Sequence, residues 1–304
     1  MKIVHQPVLK AEVFEWLRPE GDGGLLIDAT LGEGGHGEMF LKACPTLSLI
    51  GIDADPQVLS TARLRLAPFA EGAPGRVRFF ETWFDQFFKT PASGEKADRI
   101  LLDLGISIFH YAGSGRGFSL TAEEPLDMRL NPGLDLTAGK IVNSFSEKKL
   151  ADIFFRFGEE PMARRFARAI VMARAGKPVS TARELGEILR RAAPEARRHR
   201  RIHPATGVFM ALRIVVNSEL DRLESALENA VGWLKPGGRI GVISFHSLED
   251  RLVKTFFKGK ALEPETGDGA VLRILTKKPI IPGEEERVFN PPSRSAKFRV
   301  AEKI

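Results

Sequence analysis

The chain has 304 residues but only one cysteine, Cys44, and no long apolar segment. A single cysteine excludes an internal disulfide and a metal site built from several thiolates. Because no run of about 18 apolar residues occurs, no membrane-spanning helix is predicted. Residues 1–9 lack the apolar core and the cleavage site of a secretory signal peptide. Together these absences predict a cytoplasmic protein without a membrane partner.

Histidine is also scarce, with six residues scattered along the chain at no metal-ligand spacing. No metal site is therefore predicted, and the sequence leaves metal dependence and oligomeric state open. The remaining composition, 43% hydrophobic and 28% charged, is typical of a globular protein with a substantial core.

The net charge of +6 is unevenly distributed. Residues 105–203 contain 18 Lys and Arg against 11 Asp and Glu, whereas the rest of the chain contains 27 against 28. A segment with this excess of positive charge is typical of a surface that faces nucleic acid. A solvated helical surface would have the same composition, so the charge alone does not decide between the two.

Strands and helices alternate along the first hundred residues, and the same alternation returns near the C-terminus. Short apolar runs predict strands at 25–29, 48–53, 77–81, 99–104, 240–245, 270–276 and 297–302. Such alternation predicts an α/β protein with a doubly wound parallel sheet and helices on both faces. The last two strands have no helix between them, which predicts an antiparallel edge.

A long helical stretch interrupts this pattern. It contains a predicted capping box at Thr181–Glu184, and it is followed by one long predicted helix at 206–233. We therefore predict one α/β domain, made of residues 1–107 and 204–304, with a helical insert at 108–203 as the candidate nucleic-acid-facing part.

The motif Asp28-Ala-Thr-Leu-Gly-Glu-Gly-Gly-His36 follows the first predicted strand. Glycines there let the backbone approach a ligand, and a helix starting near His36 would add its positive N-terminal end. Asp53 ends the second strand, where a carboxylate suits the hydroxyls of a ribose. This arrangement predicts an adenosine-containing cofactor, but both NAD and a methyl donor fit it, since Gly32-x-Gly34-x-x-Gly37 matches the dinucleotide fingerprint.

Three features favour the methyl donor over NAD. A tight turn, Lys235-Pro-Gly-Gly-Arg239, precedes a late strand, as is frequent in methyltransferase sheets. The fourth strand ends in Asp103-Leu-Gly-Ile-Ser107, which places polar groups at the crevice of the sheet. The predicted antiparallel edge is the third feature.

The chain also resembles one family along nearly its whole length, through an ordered set of motifs. These are His5-x-Pro-Val-Leu9, the Asp28–His36 loop, Gly51–Pro56, Leu101–Ser107, Arg116–Ser119, Pro125–Arg129, Gly158–Glu160, Ala167–Val171, His203–Thr206, Ala211–Ile214, Ile243–Arg251 and Ser293–Lys297. The family is the bacterial S-adenosylmethionine-dependent 16S rRNA (cytidine N(4))-methyltransferases, which methylate an exocyclic amino group in the decoding region. The resemblance implies a Rossmann-like class I methyltransferase sheet with an inserted all-helical domain.

The resemblance also implies which residues contact the cofactor S-adenosyl-L-methionine. They are Gly34, Gly35, His36, Asp53, Phe84, Asp103 and position 110. The chain departs from the family at His110, where glutamine is usual, and at Gly207 and Met210, which replace an arginine and a glutamine. These departures put one cofactor contact and one RNA contact in question.

The substrate chemistry leaves the catalytic group open. The amino lone pair of cytosine is delocalised into the ring, so acceptors for its N–H groups would favour attack, and positioning would supply most of the catalysis. The candidates are Asp103, Ser107 and His246. For RNA, the densest basic run is 190–201, in which we expect Arg197, Arg198, Arg200 and Arg201 to contact phosphates.

Two alternatives remain at this point. One is an NAD-linked oxidoreductase, which the glycine motif alone permits. The other is an RNA-binding or assembly protein of the same fold with impaired catalysis, which the departures permit. The sequence does not decide between free rRNA and the assembled small ribosomal subunit as the partner.

Overall fold

The computed structural model describes residues 6–21, 23–71, 75–92, 94–199, 202–261 and 271–304. The chain divides into two compact units, one of Met1–Ser107 with Leu220–Ile304 and the other of Ile108–Glu219. The second unit extends beyond the predicted end at 203. The reason is that the helix after His203 packs on a helix of the insert rather than on the sheet.

Seven strands form a single sheet in the described part of the first unit, in the order β3-β2-β1-β4-β5-β7-β6. The strands are β1 Gly23–Asp28, β2 Thr46–Asp53, β3 Val77–Glu81, β4 Ala97–Asp103, β5 Leu234–Ser244, β6 Leu272–Ile274 and β7 Lys297–Lys303. Strands β1 to β5 pair in parallel, and β7 pairs antiparallel with both of its neighbours. The predicted α/β sheet and its antiparallel edge are confirmed, but the expectation of no helix between the last two strands is wrong, because a short helix at Glu284–Phe289 lies between them.

Helices of the first unit cover both faces of the sheet. They are α1 Lys10–Leu17, α2 Gly35–Ala43, α3 Pro56–Glu71, α4 Phe84–Lys89, α12 Glu219–Trp233, α13 Ser247–Ala261 and α14 Glu284–Phe289, with a 3₁₀ turn at Pro291–Ser295. Because side chains alternate along a strand, Leu25 and Ile27 join the core beneath α12 while Leu26 joins the core beneath α1 and α2. The first unit is therefore a three-layer sandwich around two apolar cores.

The turn predicted at Lys235–Gly238 lies within β5. Ala97 pairs with Leu234 and Arg99 pairs with Arg239, so the intervening residues bulge out of the ladder. Gly237 has φ of 76°, a conformation that suits glycine. The turn is a bulge inside a strand and not a reversal before it.

The second unit contains helices and no strand among its described residues. They are α5 Ile108–Ala112, α6 Ala138–Ser144, α7 Glu147–Gly158, α8 Ala163–Gly176, α9 Ala182–Ala192, α10 Glu195–Arg198 and α11 Thr206–Asn217. The predicted capping box is present, since the Thr181 hydroxyl accepts from Glu184 N and the Glu184 carboxylate accepts from Thr181 N. Helix α7 packs against α8 and α11, and α8 packs against α9.

The helix predicted at 206–233 is wrong as a single element. It breaks at Ser218, which has φ of 52°, into α11 and α12. The buried Asn217 side chain explains the break. Its Oδ1 accepts from Leu130 N at 2.8 Å, and its Nδ2 donates to the carbonyl of Met128 at 2.8 Å. These bonds fix the end of α11 to a distant loop of its own unit.

One departure from the family has a packing explanation. A Cβ added at Gly207 would lie 2.9 Å from the carbonyl oxygen of Gly158, and one added at Gly158 would lie 2.5 Å from that of Gly207. Helices α7 and α11 thus approach with backbone against backbone. The arginine expected at 207 would not fit here without moving one of the two helices.

Candidate active site

Three neighbouring strands each end in an aspartate. Asp28 ends β1, Asp53 ends β2 and Asp103 ends β4, and these strands are adjacent in the sheet. In a parallel sheet the carboxyl ends meet at one edge, and the point where the strand order reverses forms a crevice there. The three carboxyl groups therefore lie around one crevice.

Asp53 connects the end of β2 to the glycine loop. Its Oδ2 accepts from Gly32 N at 2.9 Å, and its Oδ1 accepts from Asp55 N at 2.9 Å. The side chain remains partly exposed. A partly exposed carboxylate at the end of this strand is suited to accept hydrogen bonds from ribose hydroxyls.

The glycines of the loop are required by contacts inside the protein. Gly34 has φ of 81°, and a Cβ on Gly35 would lie 2.6 Å from Cγ of Pro7. A Cβ on Gly37 would lie 2.9 Å from Leu49. The loop leads directly into α2, whose first-turn N–H groups point beyond its N-terminus.

His36 and Asp103 lie side by side in the crevice. The buried His36 ring places Nε2 3.0 Å from the carbonyl oxygen of Val8 and Nδ1 3.5 Å from Asp103 Oδ2. Since a carbonyl only accepts, Nε2 carries the proton. Asp103 N donates to Thr30 Oγ1 at 2.6 Å, whereas the buried Asp103 Oδ1 has no hydrogen-bond partner in the part of the chain that the structure describes.

Burial changes the protonation of these acids. Desolvation raises the pKa of Asp103 well above its ordinary value, and the charges of Asp28 and Glu249 add to the rise. Desolvation also raises the pKa of Asp28 to about 7, opposed by the hydrogen bond from Thr30 N and assisted by the charge of Asp53. Burial in the crevice therefore favours the neutral form of both carboxyl groups.

The shift at Asp28 predicts a pH-dependent stability. The folded protein holds this proton more tightly than the unfolded chain, so the free energy of unfolding falls as pH rises from about 4 through about 7. Asp28→Asn does not titrate and should be more stable than wild type by about 4 kcal/mol at most at pH 8.5, by only about 1.5 kcal/mol at pH 5, and not at all below pH 4. Denaturant melts at pH 8.5 and at pH 5 measure the difference. The surface variant Glu95→Gln serves as the control. The prediction would be contradicted if the free energy of unfolding of Asp28→Asn fell with pH as steeply as that of the wild type and of this control.

His246 is engaged with a glutamate that the sequence reasoning missed. His246 Nδ1 accepts from Glu249 N at 3.4 Å, and its Nε2 lies 3.1 Å from Glu249 Oε1. The buried Glu249 also accepts from Phe245 N at 2.8 Å and His246 N at 3.3 Å through Oε2. The available signal was a capping-box spacing, since Glu249 is the third residue of α13.

Phe84 begins α4 next to a second cluster that sequence reasoning missed. The Arg222 guanidinium lies 4.0 Å over the Trp83 ring, and its Nη1 donates to Asp85 Oδ1 at 2.8 Å. Asp85 is buried, and Phe84 packs against the core beneath α12. This ion pair fixes the turn that carries Phe84, at which the resemblance implies a cofactor contact.

Among the remaining predicted residues, Ser107 lies beside the glycine loop, where its Oγ donates to Glu33 Oε1 at 3.4 Å. His110 belongs to the second unit, where its buried ring packs edge-on against Phe118 at 5.3 Å. Arg197 and Arg198 also lie in the second unit. Arg200 and Arg201 lie outside the described residues.

Comparison with known proteins assigns a family. The profile of the MraW methylase family matches residues 2–304. The ribosomal RNA small subunit methyltransferase H of Treponema denticola is 51% identical, and the alignment covers 100% of this chain and 98% of that protein. Those of Synechocystis and Borrelia turicatae are 47% and 44% identical over 99% of this chain, and 93% and 98% of their own lengths are covered. The predicted resemblance and enzyme class are confirmed: the chain belongs to the MraW methylase family.

Proposed function

We propose that the chain transfers a methyl group from S-adenosyl-L-methionine to the exocyclic N(4) amino group of a cytidine in the decoding region of 16S rRNA. The observation that carries the proposal is the family match over residues 2–304. It is joined by relatives named ribosomal RNA small subunit methyltransferase H, of which 93% or more is covered. Because ribosomal RNA is the proposed substrate, we propose the small ribosomal subunit as the partner and the cytoplasm as the place of action.

The residues of the crevice fit the proposed cofactor. Asp103 Oδ1 is a buried acceptor without a donor among the described residues, Asp53 is partly exposed at the end of β2, and α2 begins at Gly35 behind the loop. We propose that Gly34, Gly35, His36, Asp53, Phe84 and Asp103 hold the cofactor, and that His110 adds a contact. When bound, S-adenosylmethionine supplies a methyl group already activated on a sulfonium.

The sheet disfavours the NAD alternative. Dinucleotide-binding folds have the strand order 3-2-1-4-5-6, with every strand parallel. Here an antiparallel β7 lies between β5 and β6. The glycine motif permits both cofactors, but the sheet that carries it differs from that of dinucleotide-binding folds. This difference favours the methyl donor.

The proposed chemistry needs acceptors around the cytosine amino group rather than a strong base. Asp103 and Ser107 lie at the end of β4 and in the turn that follows it, and both remain candidates for holding the amino protons during attack. His246 is the weaker candidate, because its Nε2 faces the Glu249 carboxylate and its Nδ1 accepts a backbone N–H. Acceptors placed in this way favour a nitrogen lone pair directed at the methyl group.

Methyl transfer to purified small-subunit particles tests the proposal. The particles come from a strain lacking the enzyme, and mass mapping of the product identifies the methylated base. We expect one added methyl group on a cytidine of the decoding region. Calorimetry with S-adenosylmethionine and with NAD tests the cofactor. Binding of NAD alone would support the oxidoreductase, whereas binding of cofactor and RNA without methyl transfer would support an impaired assembly protein.

A further inference from the structure

Helix α8 of the second unit has an exposed basic face. Arg164, Arg165 and Arg168 are exposed, and Met172, one turn further along, is 68% exposed. At 100° per residue these four side chains lie within about a third of the helix circumference. The face is therefore one continuous stripe, and we name it the α8 basic face.

The opposite side of α8 anchors the helix in the core of its own unit. Ala163, Phe166, Ala167 and Ile170 are buried, and the helix packs against α7 and α9. Neither packing nor helix capping requires a charge at the three arginine positions. The α8 basic face can thus be changed without removing a core side chain.

The arginines of this face differ from the other arginines of the unit. Arg174 donates to the carbonyls of Val142 and Phe145, at 2.5 and 2.6 Å. Arg183 pairs with Glu123 at 3.3 Å. Arg190 pairs with Glu187 at 2.9 Å. Within the described ranges, the guanidinium groups of Arg164, Arg165 and Arg168 have neither an ion-pair nor a hydrogen-bond partner.

An aromatic ring lies near the same end of the helix pair. Phe155 is 66% exposed in the last turn of α7, and Arg156 beside it is exposed. Only residues 159–162 separate α7 from α8, so the end of α7 adjoins the start of α8, where Arg164 and Arg165 lie. Exposed aromatic rings beside arginines are typical of surfaces on which unpaired bases stack.

We propose that the α8 basic face, with Phe155 and Arg156, binds the phosphate backbone and an unpaired base of the ribosomal RNA substrate. The inference rests on the proposed function and adds where the RNA is held. Unpaired guanidinium forks match the geometry of phosphate oxygens, and their charge complements the RNA backbone. An acidic protein partner would not use Phe155 for stacking and becomes an outcome of the test.

Substitution of the three arginines tests this surface. We expect Arg164→Gln, Arg165→Gln and Arg168→Gln together to weaken binding of a 16S rRNA fragment spanning the decoding region at least tenfold at 150 mM salt. The slope of log K for RNA association against log salt is negative, and its magnitude should decrease by about 2. Each lost contact to a phosphate of a single strand removes about 0.7 from it. Phe155→Ala should weaken binding with no change in that slope.

The matched control removes the same charge from the same unit. Lys140→Gln, Lys177→Gln and Arg183→Gln together change the net charge equally, but Lys140 already donates to the carbonyl of Asp135, and Lys177 and Arg183 already pair with acids. We expect this variant to bind the RNA within threefold of wild type. Both triple variants should bind S-adenosylmethionine as wild type does.

Three outcomes would overturn the inference. Equal RNA binding by both triple variants would show that only net charge matters. Unchanged RNA binding by the α8 variant would exclude the surface, provided that the wild-type protein methylates small-subunit particles. If the α8 variant bound RNA as wild type does but sedimented differently from the wild-type protein, the α8 basic face would be assigned to a contact between proteins. Absence of methyl transfer by the wild type would instead reject the proposed function.

Discussion

We expect the Asp103→Asn variant to bind S-adenosylmethionine about 10- to 100-fold more weakly than wild type, and yet to be more stable at pH 8. Loss of a hydrogen bond to a charged group costs about 1.5–3 kcal/mol, which sets the binding range. The gain in stability follows because the amide does not titrate. In the wild type, burial and the charges of Asp28 and Glu249 disfavour the ionised form of Asp103, which lowers the free energy of unfolding at high pH. Calorimetry measures the affinity, and denaturant melts measure the stability.

The opposite signs of the two effects exclude misfolding as the explanation. Affinity of the wild type should also rise with pH, because a cationic ligand favours the ionised carboxylate. The Asn variant should show no such rise. Glu95→Gln, which removes an exposed acid of the same unit, serves as the control. Wild-type affinity in Asp103→Asn, or a loss of stability at pH 8, would contradict the assigned role.

The first hundred residues were predictable because local pattern and tertiary role agree there. Each of β1, β2 and β4 is an apolar run that ends in an acid, and the carboxyl ends of parallel strands must share one edge. The Thr181–Glu184 capping box is equally local, since both partners lie within one turn. Acid placement and helix starts therefore follow from short windows of sequence.

The remaining features depend on partners that are distant in sequence. Asn217 ends α11 through bonds to Met128 and Leu130, and no pattern at 206–233 indicates them. Arg222 fixes Trp83 and Asp85 across 137 residues of chain. The strongest example is the basic run at 190–201, where composition predicts a surface but not which guanidinium groups are already bound.

Arg197 and Arg198 illustrate this limit. Arg197 donates to Glu160 through Nη1 to Oε1 at 2.7 Å and through Nη2 to Oε2 at 3.1 Å. Arg198 donates to the carbonyls of Ala193 and Arg191, both at 2.8 Å. A role of these two arginines in RNA binding stays a prediction. Their internal bonds add a structural role that a loss-of-binding experiment alone would not separate from it.

We expect Arg197→Gln to lower the free energy of unfolding of the second unit by about 2–3 kcal/mol. The buried Glu160 carboxylate would lose both guanidinium bonds and keep the single bond from Met162 N at 2.9 Å. An acceptor left in this state retains its desolvation cost, and an ionised one costs more than a neutral one. Because Arg197 is itself partly exposed, the loss should fall below that of a wholly buried pair. Denaturant melts measure this loss of stability, and hydrogen exchange of the α7 and α8 amides assigns it to the second unit.

A double-mutant cycle distinguishes this role from RNA contact. Glu160→Gln removes the buried charge, so adding it to Arg197→Gln should recover about 1 kcal/mol or more, which is the coupling expected for residues in direct contact. If Arg197 acts only through Glu160, the double variant should also recover RNA binding, although it still lacks the arginine charge. Full stability in Arg197→Gln with weakened RNA binding would instead support the phosphate contact predicted from the sequence, because a guanidinium that is free to meet phosphate cannot also be required by Glu160.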